Sequence, residues 1–144
     1  MNILKQLEKG IISQSAEETQ EIARQLAAQV PVDHILTLRG DLGAGKTTFV
    51  KGLAEAWDIK EVITSPTYTL YTIYEGTRQL LHMDAYRMDN ADAMENLMID
   101  EFLKSPFCLA MEWPEKVEDW LPENAWHLYL EITPEHHHKL RLVC

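Results

Sequence analysis

Residues 40–47 read Gly40-Asp41-Leu42-Gly43-Ala44-Gly45-Lys46-Thr47 and match the pattern G-x-x-x-x-G-K-[ST] at every fixed position. A short apolar run, Ile35–Leu38, precedes this stretch, and a helix-competent stretch from Lys46 to about Trp57 follows it. The order predicts a strand, a glycine-rich loop and a helix, which is the context that the pattern requires. A chance match in a chain of this length is expected in only ~0.5% of cases. The stretch therefore predicts a phosphate-binding loop.

The residue types of this loop suit a polyphosphate. Small residues let backbone N–H groups curl around an anion, and the following helix directs its positive end toward it. Lys46 would reach the β- and γ-phosphates, and the hydroxyl of Thr47 is placed to coordinate Mg²⁺. An incidental Gly-rich turn is the alternative, but it gives the lysine no obvious structural benefit. The predicted ATP-binding residues are Asp41, Leu42, Gly43, Ala44, Gly45, Lys46, Thr47 and Thr48.

An acidic residue follows a second apolar run. Phe107–Met111 is typical of a fully buried strand, and Glu112 comes directly after it. Alone, such a run is more often a core strand that meets solvent. Beside a phosphate loop it resembles a Walker B segment, in which a strand brings a carboxylate to Mg²⁺. Glu112 is therefore the candidate second magnesium residue, and Trp113 is interpreted as a packing residue.

The remaining pattern predicts an α/β fold without repeats or linkers. Ser15-Ala16-Glu17-Glu18 has capping-box spacing at the start of a helical periodicity. The predicted elements are a helix from about Ala16 to Gln29, a β-hairpin of Thr67–Tyr74 and Gln79–Met83, a helix from Ala91 to about Leu103 interrupted near Met98, and closing strands Trp126–Ile132 and Lys139–Val143. The turn His136-His137-His138 is interpreted as solvated, since adjacent histidines cannot all face one metal.

Composition limits the classes of function. The 144 residues suit a single domain, 1–144, with ordinary hydrophobic (46%) and charged (25%) fractions. No apolar run approaches the ~20 residues of a membrane helix, and the start lacks a signal peptide, so we expect a cytoplasmic protein. Cys108 and Cys144 have no metal-binding or redox spacing. A net charge of −10 argues against strong direct tRNA binding.

Four motifs in order resemble the TsaE (YjeE) family, over nearly the whole chain from Ser15 to Glu115. They are GDLGAGKTT (40–48), SPTY (65–68), HMDAYR (82–87) and EWPE (112–115). The resemblance implies a single P-loop NTPase-like domain with a central mostly parallel sheet, a β-hairpin and flanking helices. It also implies a Mg²⁺-dependent ATPase that is required for threonylcarbamoylation of tRNA adenosine next to the anticodon, acting with TsaB and TsaD.

The resemblance also implies residue roles. Thr47 and Glu112 correspond to the magnesium pair, and Ser65, Thr67 and Arg87 lie in switch-like segments. Asp84 matches the acidic residue of the family's HxDxYR motif, and we expect it to orient the attacking water or a water on Mg²⁺. The predicted catalytic residues are Lys46, Asp84 and Glu112.

Three other functions compete with this interpretation. A GTPase should carry an NKxD-like segment, and the sequence has none. A P-loop small-molecule kinase has the same phosphate loop but needs an Arg-rich lid, whereas the five arginines here are scattered from Arg24 to Arg141. The lack of an arginine cluster also predicts slow hydrolysis by the chain alone, with stimulation by partner proteins. The third alternative is a module that uses ATP only to set its conformation.

Overall fold

A seven-stranded sheet organises the residues that the computed structural model describes, which are 2–41, 43–66 and 70–144. The strands are β1 (Ile11–Ser13), β2 (His34–Arg39), β3 (Tyr71–Tyr74), β4 (Gln79–Asp84), β5 (Phe107–Glu112), β6 (Trp126–Ile132) and β7 (His138–Val143). Their order across the sheet is β1-β7-β6-β2-β5-β4-β3. The four central strands β6, β2, β5 and β4 pair in parallel, and the outer pairs are antiparallel. The predicted α/β fold with a mostly parallel centre is confirmed.

Helices flank the sheet. They are α1 (Ile3–Lys9), α2 (Ala16–Ala27), α3 (Lys46–Ala56) and α4 (Ala91–Leu97), and two 3₁₀ segments lie at Ile99–Glu101 and Pro114–Trp120. Ser15 caps α2 as its sequence predicts, because its side chain accepts a hydrogen bond from the backbone N–H of Glu18 at 3.1 Å. Met98 has a left-handed conformation (φ 53°) between α4 and the 3₁₀ segment, which confirms the predicted interruption. None of the described helices is long and apolar enough to cross a membrane.

Residues 3–13 form two elements that the sequence did not predict. α1 has only seven residues, too few for a clear helical periodicity, although Asn2 caps it through a hydrogen bond from Lys5 N at 2.9 Å. β1 has three residues and exists through antiparallel pairing with β7, more than a hundred positions away in sequence. Both elements depend on tertiary contacts, so local patterns cannot reveal them.

Apolar side chains pack on both faces of the sheet. α1, α2 and α3 cover one face, where Leu26, Phe49 and Leu53 are fully buried. The other face holds a second cluster around Met83 and Met111. Because both faces are covered at β4 and β5, these strands are almost entirely buried, and their carboxyl ends are held firmly beside each other.

The contact between α2 and α3 is close enough to require glycine at position 52. A Cβ on Gly52 would lie 2.4 Å from the carbonyl oxygen of Gln20 and 2.6 Å from the Cβ of Ala23. We expect Gly52→Ala to lower the free energy of unfolding by ~1–3 kcal/mol, since overpacking outweighs the better helix propensity of alanine. Urea unfolding measures the change, with the exposed neighbour Lys51→Ala as the matched control. A Gly52→Ala protein as stable as the wild type would contradict this packing argument.

Candidate functional site

The loop after β2 has the backbone geometry of an anion cradle. Gly45 has a positive φ (101°), which favours glycine, and it precedes the first residue of α3. None of the described side chains caps this helix, so its first amides remain available to an anion. Among the described residues, no heavy atom lies within 4 Å of the place where a Cβ on Gly43 would stand. The loop is therefore open on the side that Gly43 faces.

A cavity of about 290 Å³ lies at this loop and brings together most of the predicted site residues. It is lined by Gly43, Gly45, Lys46, Thr47, Thr48, Ser65, Glu112 and Trp113. Four predicted residues of the described ranges do not line it: Asp41, Ala44, Asp84 and Arg87. Arg87 is exposed, and the predicted residues Leu42 and Thr67 lie outside the described residues. The phosphate loop, the end of β5 and Ser65 thus line one cavity.

Lys46 carries the positive charge of the cavity. Its side chain is buried (5% exposed), and its Nζ donates a hydrogen bond to the carbonyl oxygen of Gly40 at 2.6 Å. The same Nζ lies 3.8 Å from the centre of the Trp113 ring. Burial lowers the pKa of Lys46, and the nearby carboxylates of Glu112 and Asp84 counteract that effect in part. An ammonium group with one carbonyl acceptor keeps further N–H donors for a phosphate.

Two carboxylates lie side by side at the carboxyl ends of β4 and β5. The parallel register pairs Asp84 with Glu112, and it pairs Glu112 with Leu38 near the end of β2. Asp84 and Glu112 are 7% and 4% exposed. Asp84 Oδ1 accepts a hydrogen bond from the backbone N–H of Tyr86 at 2.8 Å, which fixes the carboxylate at the strand end. The predicted position of Glu112 at the end of a buried strand is confirmed.

Trp113 contacts the predicted site more directly than its interpretation as a packing residue implied. Its backbone has a positive φ (54°), unusual for a residue other than glycine, and its ring lies over Lys46. The ring also packs edge-on against Tyr86, with 5.5 Å between ring centres. The signal in the sequence was its place directly after Glu112, but only the structure shows which atoms it meets.

His138 requires a correction, because the interpretation of residues 136–138 as a solvated turn is wrong for this residue. It is the first residue of β7, and its Nδ1 lies 2.9 Å from the carbonyl oxygen of Ala44. A carbonyl oxygen only accepts, so Nδ1 carries a proton and donates to the loop. No group of three or more His, Cys, Asp or Glu side chains placed to hold a metal ion occurs in the part of the chain that the structure describes.

The arrangement fits an anion and a divalent cation bound next to each other. The uncapped start of α3 and the ammonium of Lys46 favour phosphate oxygens. Glu112 and Thr47 line the same cavity, and a carboxylate and a hydroxyl are oxygen ligands of the kind that Mg²⁺ prefers. A Mg²⁺-bound nucleotide polyphosphate combines these two charges in one ligand.

Comparisons with known proteins agree with one another. The family model described as "Threonylcarbamoyl adenosine biosynthesis protein TsaE" matches residues 13–141. The TsaE protein of Bacillus subtilis is 41% identical over 116 residues, which cover 80% of this chain and 72% of the relative. The TsaE protein of Aquifex aeolicus is 38% identical over 140 residues, 95% and 97% of the two chains. The crystal structure of Bacillus subtilis YdiB superposes with a TM-score of 0.76 at 32% identity, covering 91% of this chain and 81% of that one.

Proposed function

Because this chain belongs to the TsaE family, whose role is in tRNA threonylcarbamoyladenosine biosynthesis, we propose that it is the Mg²⁺-dependent ATPase of that process. The observation that carries the proposal is the cavity of about 290 Å³ in which the buried Lys46, the uncapped start of α3 and Glu112 meet. The modified base is the adenosine next to certain tRNA anticodons. This function agrees with the family and with the chemistry of the cavity.

In this mechanism the loop binds the phosphates of ATP. Backbone N–H groups of Gly43 to Thr48 surround the β-phosphate, and Lys46 donates to β- and γ-phosphate oxygens. Thr47 and Glu112 would hold Mg²⁺, and the bound ion would supply positive charge to neutralise the phosphate oxygens. Trp113 limits access of water to the ammonium group of Lys46, since its ring lies over that group. In this proposal the loop binds the phosphates, and Glu112 at the end of β5 helps to hold the cation that neutralises their charge.

Asp84 acts on water in this mechanism. Its carboxylate is held beside Glu112 by strand pairing and by the N–H of Tyr86. From this position it accepts a hydrogen bond from a water molecule near the γ-phosphate or on the cation, without forming a covalent bond itself. Loss of the carboxylate should therefore slow hydrolysis more than it weakens nucleotide binding.

We further propose that partner proteins complete the site. Among the described residues, no arginine lines the cavity, and the only arginine of the four motifs, Arg87, has an exposed side chain. An arginine that stabilises the transferred phosphoryl group can be supplied by another protein. TsaB and TsaD are the proposed partners. The net charge of −10 makes strong binding of tRNA by this chain alone unfavourable, so contact with tRNA runs through them.

The test is ATP hydrolysis with Mg²⁺, measured with the chain alone and with a cognate TsaB–TsaD pair. We expect slow turnover alone and a stimulation of at least ~10-fold with the pair, a threshold well below the ~10³–10⁵-fold that an arginine supplied in trans can produce. The pair without this chain gives the background rate. An absence of stimulation, with turnover that appears only when a small acceptor molecule is added, would favour the alternative, a P-loop small-molecule kinase.

A further inference from the structure

A buried histidine lies close to the two carboxylates at the carboxyl ends of β4 and β5. His82 is fully buried in β4, and its Nε2 lies 2.6 Å from Oε2 of Glu112 in β5. Side chains alternate along a strand, so His82 faces the same side of the sheet as Asp84. The register pairs His82 with Ala110, two residues before Glu112, which makes the contact with Glu112 a diagonal one across the parallel pair.

The hydrogen bond has a defined direction. An ionised carboxylate only accepts, so the proton of this bond belongs to Nε2 of His82. The other ring nitrogen, Nδ1, is buried and has no hydrogen-bond partner among the described residues. A proton on Nδ1 would therefore have no acceptor, and the Nε2–H tautomer is the one that this surrounding favours. The ring consequently presents a single donor, and Glu112 receives it.

We propose that His82 is a positioning residue that fixes the Glu112 carboxylate for Mg²⁺, an inference that rests on the proposed function. With Oε2 engaged by His82, Oε1 is the oxygen that remains for the cavity, which Glu112 lines together with Thr47. A glutamate without this contact would lose the orientation of its carboxylate, since its side chain has several rotamers. Hydrogen-bond partners behind metal ligands typically change metal affinity or activity by ~10–100-fold.

Two substitutions separate positioning from simple filling of the core. In His82→Gln the amide N–H group reaches about as far as Nε2 and can still donate to Glu112. In His82→Asn the amide reaches only about as far as Nδ1, so a polar group of similar kind stays buried but the donor to Glu112 is lost. The two variants therefore form a matched pair that differs chiefly in the contact under test.

The measurement is the dissociation constant of ATPγS for the full chain by calorimetry, with Mg²⁺ and with EDTA. For His82→Asn we expect a weakening of ~10–100-fold with Mg²⁺ and little change with EDTA. For His82→Gln we expect wild-type values within ~3-fold in both buffers, which is the rescue by a conservative variant. Equal losses in both variants, or an equal loss with and without Mg²⁺, would overturn the positioning role.

A second measurement needs no substitution and so does not depend on a variant that folds. The ¹⁵N and ¹H resonances of the His82 ring in the wild-type chain should report an Nε2–H tautomer, and they should shift on adding Mg²⁺ with ATPγS but not on adding ATPγS with EDTA. Resonances that respond to neither addition would overturn the proposal. If Mg²⁺ has no effect on ATPγS binding by the wild-type chain, the proposed function fails as well. If Mg²⁺ strengthens binding by the wild-type chain and both variants bind as the wild type does, the positioning role alone fails.

Discussion

Replacing Lys46 by alanine is expected to weaken ATP binding by at least ~100-fold, the largest effect of any single substitution in the loop. Hydrogen bonds to charged groups contribute ~1.5–3 kcal/mol each, and Lys46 would make bonds to both the β- and γ-phosphates. Its ammonium is already largely desolvated by burial, which lowers its pKa, and among the described residues it donates a hydrogen bond to the Gly40 carbonyl oxygen at 2.6 Å. Part of the cost of desolvating the Lys46 ammonium is therefore met in the protein without ATP. Lys46→Ala should consequently lose most of the binding free energy that this interaction contributes.

The measurement is the dissociation constant of Mg²⁺-ATPγS by calorimetry for Lys46→Ala and the wild type. Lys51→Ala is the matched control, since Lys51 lies on the same helix and is exposed. Lys46→Ala also loses the contact with the Trp113 ring, so unfolding in urea must accompany the binding data. A Lys46→Ala protein that binds within ~3-fold of the wild type would remove the phosphate role from this loop.

The sequence predicted the parts of the site that follow from local patterns. Ile35–Leu38, the glycine-rich loop and the start of the helix at Lys46 are consecutive, so their order alone fixes a strand, a cradle and a helix N-terminus. Glu112 was found because its strand is buried on both faces and leaves an unbroken apolar run. Asp84 was singled out through the family resemblance, since a carboxylate after a hairpin strand has many structural explanations, and its pairing with Glu112 is known only from the structure.

Contacts between distant segments were beyond such patterns. His138 meets the loop at Ala44 only because β7 follows β6 in the sheet, and β6 pairs with β2, which carries the loop. The order of strands is a tertiary property that no local periodicity contains. The ring of Trp113 lies over Lys46, and the backbone of Trp113 has a positive φ. Tryptophan does not favour this conformation, so it could not be predicted from the sequence. The strain at Trp113 is therefore a further sign that its ring position matters.

The hydrogen bond between His82 and Glu112 belongs to the same class of contact. His82 was visible in the motif HMDAYR, and strand alternation places it on the face of Asp84. Its partner could not be chosen from the sequence, because the register of β4 against β5 decides which side chain lies diagonal to it. A shift of the register by one residue would turn either strand's side chains to the opposite face.

Replacing Asp84 by asparagine should separate catalysis from binding. General acid–base groups typically contribute ~10²–10⁴-fold, so we expect hydrolysis by the assembly with TsaB and TsaD to fall by at least ~100-fold. Nucleotide affinity should change by less than ~3-fold, because Asp84 does not line the cavity. In the structure, Asp84 Oδ1 accepts a hydrogen bond from the backbone N–H of Tyr86 at 2.8 Å. Asparagine keeps a side-chain oxygen that can accept the same hydrogen bond, so the local backbone should not change.

Single-turnover hydrolysis in the complete assembly, beside ATPγS binding to the chain alone, measures the two effects of Asp84→Asn separately. Asp89→Asn is the matched control, because Asp89 lies close in sequence, is exposed and loses the same charge. The comparison matters because Asp84 and Glu112 both act on Lys46 through their charges. If Asp84→Asn changed only affinity, its role would be electrostatic support of Lys46; unchanged turnover would exclude a role on water. Loss of turnover with affinity retained is the pattern expected of a water-orienting carboxylate.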